Sequence, residues 1–231
     1  MLNLFFKDVR AGALFLWAAV PLSVVTALQV SRSGGAFFWA NVTCATLILV
    51  AVSMLEWKYD ADPFVHSLPV TRAMVVRGRY LTAAAIGLLS LLVGTAVGTA
   101  RALAFAAQGA PWPRWVAGDM ALAFVLAFAI VAAVYLPCYY RWGFGKGNVA
   151  AALVVAAGII VTSITAPAFT ATATGGAALV GVPPGRIPHG VAALVDRFGL
   201  MAGGAIVLAL AAGLLAASAQ LAARTYERRE F

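Results

Sequence analysis

Charge is so sparse along this chain that it leaves six apolar runs of about twenty residues each, at 11–30, 36–55, 80–100, 120–140, 148–169 and 198–223. An ionised side chain at the centre of a bilayer costs about 2.5–3.5 kcal/mol, so charges mark where such runs must end. At about 1.5 Å of rise per residue, each run is long enough to cross a hydrocarbon core of about 30 Å. Backbone groups in that core find no water, which restricts spanning segments to helices or the strands of a closed barrel. Continuous rather than alternating apolarity selects helices. The expected fold is therefore an all-α bundle of six transmembrane helices in a single domain, residues 1–231. A soluble domain is excluded: 63% of the 231 residues are hydrophobic and 10% charged, against about 45–50% and about 25% in soluble proteins.

The net charge of +8 reads as topology. With the N-terminus inside, eleven Lys and Arg residues fall on the inner side and five on the outer. The positive-inside rule then places both termini in the cytoplasm, and no nucleic-acid partner is needed to explain the charge. Lys7 and Arg10 precede the first run as they would in a signal peptide, but 11–30 is longer than an h-region and lacks a small-residue cleavage pattern. It is expected to stay as a span. Cys44 and Cys138 lie inside apolar runs and read as small buried hydrophobes.

Three segments between the runs carry information. Residues 1–10 place Asn3, Lys7 and Arg10 on one helical face among Leu2, Leu4, Phe5, Phe6 and Val9, which suits a short helix lying in the inner interface. The inner loop 56–79 contains Asp62-Pro63, a helix start. Pro69 stops the helix that follows, leaving Phe64, Val65, His66, Ser67 and Leu68, of which Phe64, Val65 and Leu68 make one apolar face. Thr71 offers a second N-cap, so the third span is expected to extend back through Arg72 to Arg79. The outer loop 170–197 opens Gly-rich, turns at Pro183-Pro184-Gly185, and then repeats Ile187, Val191, Leu194, Val195 and Phe198 at helical spacing. That amphipathic helix fits either a cover over the bundle or a part in substrate release.

Catalytic chemistry is missing from the runs. No ionisable residue sits near the middle of any of them, which removes candidates for proton relays and ion sites. His66 and His189 belong to opposite sides, so neither zinc nor bis-histidine haem ligation is on offer. Gly143-Phe144-Gly145-Lys146-Gly147 fails the phosphate-loop spacing and follows no strand. The chain is expected to be no enzyme, to hold no cofactor or metal, and to draw any ATP-driven work from another polypeptide. Gly94 with Gly98, and Gly199 with Gly203, have the spacing that lets helices approach closely, and Pro21 and Pro137 are expected to bend their helices.

The run Ser67-Leu68-Pro69-Val70-Thr71-Arg72, followed by Arg77-Gly78-Arg79-Tyr80-Leu81, resembles a stretch of small bacterial ABC transporter permeases of the ABC-2 type. Tyr139-Tyr140-Arg141-Trp142-Gly143-Phe144-Gly145 resembles that family's aromatic-rich turn after the fourth span. The lead-in from Glu56 to Pro63, and Ala73, depart from the family pattern. The resemblance implies a permease subunit of an ABC exporter in the bacterial cytoplasmic membrane, paired with a second permease as homodimer or heterodimer. It implies a separate P-loop subunit that binds ATP and Mg, and it assigns Phe64, Val65, His66, Ser67 and Leu68 to the coupling contact with that subunit. The competing reading is a non-transport membrane scaffold or immunity protein that binds a peptide or a membrane partner. A lipid-acting enzyme is least favoured, since no acid, base and nucleophile share a depth.

Overall fold

The computed structural model describes residues 34–59, 71–106, 118–173 and 190–227, and every described secondary-structure element is a helix. These are α1 (Gly34–Lys58), α2 (Arg72–Ala106), α3 (Gly118–Trp142), α4 (Phe144–Ala173) and α5 (Gly190–Glu227). Within them the segments Ala40–Lys58, Arg72–Ala100, Ala121–Trp142 and Met201–Glu227 are long and apolar enough to cross a membrane. The described part of the chain is thus all-helical, and its four long apolar segments suit a multi-pass membrane protein. Helix α4 runs through the whole of the expected fifth span, and its described apolar part is Phe144–Gly158. The expected first span, the N-terminal interfacial helix and the coupling segment Phe64 to Leu68 lie outside the described residues.

Helix α3 is the hub. It packs most extensively on α5, then on α4, and also touches α1 and α2. Its Val131, Tyr135 and Leu136 are buried together with Val42, Leu49 and Val52 of α1, Val76 of α2 and Ala222 of α5. The opposite faces are apolar as well: Leu88 and Leu92 of α2 and Met201, Leu208 and Leu210 of α5 are exposed. A helix that is apolar all round suits a lipid surround, in which outward-facing leucines carry no penalty. Hydroxyls within the bundle bond back to their own helices: Thr46 donates to the Val42 carbonyl at 2.8 Å, Ser53 to Leu49 at 3.1 Å and Thr82 to Gly78 at 3.2 Å.

Several expectations are met residue by residue. Thr71 caps α2, accepting from the Met74 amide at 3.3 Å, and α2 begins at Arg72. At Gly94, α1 and α2 come close enough that an added Cβ would stand 2.7 Å from Asn41 Oδ1. Where a bend is expected at Pro137, α3 continues unbroken through that residue to Trp142, and Pro21 lies outside the described residues. Gly199 plays a different part from the packing one its spacing suggests. Its backbone, at φ 77° and ψ 161°, interrupts α5, a combination open almost only to glycine. The stretch from Gly190 to Phe198 is consequently a separate helix ahead of the last span, where the sequence places the end of the outer helix.

Candidate functional site

The two ends of the loop that carries Phe64, Val65, His66, Ser67 and Leu68 are both described, although those five residues are not. Helix α1 delivers Glu56, Trp57 and Lys58 to its C-terminal end, and α2 starts at Arg72 behind its Thr71 cap. Glu56 and Arg79 form an ion pair across these two helices, with Arg79 3% exposed and Glu56 26%. An acid two residues from a helix C-terminus faces the negative end of the helix dipole, and a close guanidinium offsets that. Both residues fall inside the spanning segments Ala40–Lys58 and Arg72–Ala100, where a charge is tolerated in a pair rather than alone.

Aromatic rings surround this pair. The Arg79 guanidinium lies 6.0 Å from the Tyr139 ring centroid on α3. Tyr139 meets Tyr140 edge-on at 5.4 Å, and Tyr140 meets Tyr226 of α5 at 5.0 Å. Arg72, seven residues before Arg79 and hence on the same face of α2, completes the arrangement. Its guanidinium stands 5.9 Å from the Tyr226 ring. Its Nη1 donates to the carbonyls of Tyr226 and Glu227 at 3.2 and 3.1 Å, supplying partners for carbonyls that the end of α5 leaves open.

A second contact joins the loop's first foot to the α3–α4 joint. Trp57 stacks on Phe144 with centroids 5.6 Å apart and planes 16° from parallel. The joint itself is a single residue, Gly143, at φ +83°. Its amide donates to the Tyr139 carbonyl at 2.9 Å, and its own carbonyl accepts from the Gly147 amide at 3.1 Å. The glycine-rich turn expected here is therefore shorter than its sequence suggests, because Gly145, Lys146 and Gly147 already belong to α4.

Counting charges for orientation treats Arg72, Arg77 and Arg79 alike, and the structure separates them. Arg77 is exposed, while Arg72 and Arg79 each grip a neighbouring helix. The spacing of seven between Arg72 and Arg79, and an acid placed at the unfavourable end of α1, were the signals for this. Neither signal named the partner helix. Cys44 and Cys138 are free thiols on different helices, and among the described residues no three metal-ligating side chains come together.

Comparison with known families decides the class. A family model described as ABC-2 family transporter protein matches residues 3–178. The chain belongs to the ABC-2 transporter family. That range takes in α1 to α4 and the whole loop between α1 and α2, including the segment whose motifs resemble the family. Helix α5 lies beyond the ABC-2 match, yet it is locked into the same bundle through α3 and through Arg72. No curated protein and no solved structure matches the chain.

Proposed function

We propose that this ABC-2 family member is the permease subunit of an ATP-binding cassette exporter in the bacterial cytoplasmic membrane, with six spans and both termini inside. Two such subunits, identical or not, line the pathway. Separate P-loop subunits bind ATP and Mg and supply the energy, while this chain performs no catalysis and holds no cofactor. Phe64, Val65, His66, Ser67 and Leu68 form the contact on which that energy enters. The observation that carries this reading is the family match over residues 3–178, which favours transport over a scaffold or immunity role. Scarcity of charge within the spans suits an amphipathic or hydrophobic cargo, since a strongly charged solute would want a counter-charge along its path.

Co-purification with a P-loop ATPase subunit expressed together with this chain tests the proposal. Leu68→Asp sets a charge in an apolar contact, so it should weaken assembly and lower membrane-stimulated ATP turnover. Assembly and turnover equal to those of the unaltered chain would remove the assignment.

A further inference from the structure

We propose that Glu56 and Arg79 are positioning residues that bind both feet of the loop 60–70 into one strut, so that a displacement of the loop enters α1, α2, α3 and α5 together. This inference rests on the permease reading. Four observations lead to it. The ion pair ties the last turn of α1 to the third turn of α2, the two helices that residues 60–70 connect. Arg79 is all but enclosed, and its face is closed by the Tyr139 ring of α3. Arg72, at the very start of α2, holds the last carbonyls of α5. Trp57, next to Glu56, rests on Phe144 at the start of α4.

The chemistry of these contacts explains why they transmit movement rather than absorb it. A guanidinium paired with a carboxylate in a sheltered site is directional, and moving one partner leaves the other charge unmatched. Packed leucines, by contrast, slide past one another at little cost. The loop end of the bundle therefore has directional ties between α2 and both α1 and α5, whereas most of its remaining contacts are apolar. A push on residues 60–70 cannot part α1 from α2 without breaking the pair, so it is carried into the tyrosine cluster as a movement of the whole end.

The test uses the complex of full-length chain and ATPase in lipid nanodiscs, with Cys44 and Cys138 replaced by alanine. Spin labels at Leu103→Cys on α2 and Met201→Cys on α5, both exposed, report the end of the bundle away from the loop when ATP and vanadate are added. The variant is the double replacement Glu56→Leu with Arg79→Met, an apolar pair of the kind that preserves stability where an ion pair is removed. The expected result is a complex that assembles as the parent does but loses the ATP-dependent change in label distance. A full distance change in this variant would overturn the strut. Should the double variant not assemble, Glu56→Gln with Arg79→Gln, which likewise leaves neither charge behind, takes its place with the same two outcomes. If the unaltered chain binds no ATPase, the permease reading fails and takes the strut with it, a result distinguishable from the loss of coupling in an assembled complex.

Discussion

The hydroxyl of Tyr80 on α2 and that of Ser218 on α5 lie 2.6 Å apart, and Ser218 passes a hydrogen bond on to the Ala133 carbonyl of α3 at 2.7 Å. Three helices are thus joined by two small polar groups, both buried. Ser218→Ala leaves the Tyr80 hydroxyl without this partner and should cost about 1–3 kcal/mol. Tyr80→Phe removes only one end and should cost less, since Ser218 keeps its carbonyl. Unfolding by a graded denaturing detergent should rank the two variants in that order.

Breaking the Glu56–Arg79 pair on one side is expected to be far more damaging than removing it altogether. Arg79 is the more deeply buried partner, so Glu56→Ala should destabilise by about 3–5 kcal/mol, while Glu56→Leu with Arg79→Met should fall close to the parent. Thermal unfolding in detergent of the single and double variants checks this, and equal losses in both would contradict it.

Two glycines of the bundle should respond to alanine with opposite signs. A Cβ at Gly87 would stand 2.7 Å from both Cδ1 and Cε1 of Phe128, a buried ring, whereas one at Gly213 meets nothing within 4 Å. Gly87→Ala should cost about 1–3 kcal/mol through overpacking. Gly213→Ala, in the interior of α5, should add about 0.5–1 kcal/mol by removing backbone freedom from the unfolded chain. The same unfolding series measures both.

At Gly199 the strain is in the backbone. Space around it is open, but its φ and ψ exclude other residues, so Gly199→Ala should cost about 1–3 kcal/mol or force α5 to straighten. A distance between labels at Phe198→Cys and Leu208→Cys separates the two outcomes, lengthening only if the break is lost.

The described helices were legible where a charge or a cap bounds an apolar run. Thr71 marks the start of α2, and the ends of α1 and α3 fall within three residues of the last apolar position expected for their spans. Two features were not legible. The interruption at Gly199 looks from its spacing like a packing glycine, because sequence spacing reports a face and not a dihedral angle. The pairing of Glu56 with Arg79 joins residues 23 apart, and nothing in a charge count says whether an arginine at a helix end reaches water or turns inward. Phe64 to Leu68 are assigned to coupling through their motif, and the described helices α1 and α2 stand on either side of them in the chain.

One residue separates α3 from α4, and that brevity has mechanical meaning. Consecutive Cα atoms are about 3.8 Å apart, so a joint consisting of Gly143 alone holds no spare chain to pay out. The two helices cannot shift lengthwise against each other there by more than a fraction of a helical turn. Whatever motion reaches this corner through Trp57 and Phe144 must be a swing about Gly143: the corner is a hinge and cannot be a piston.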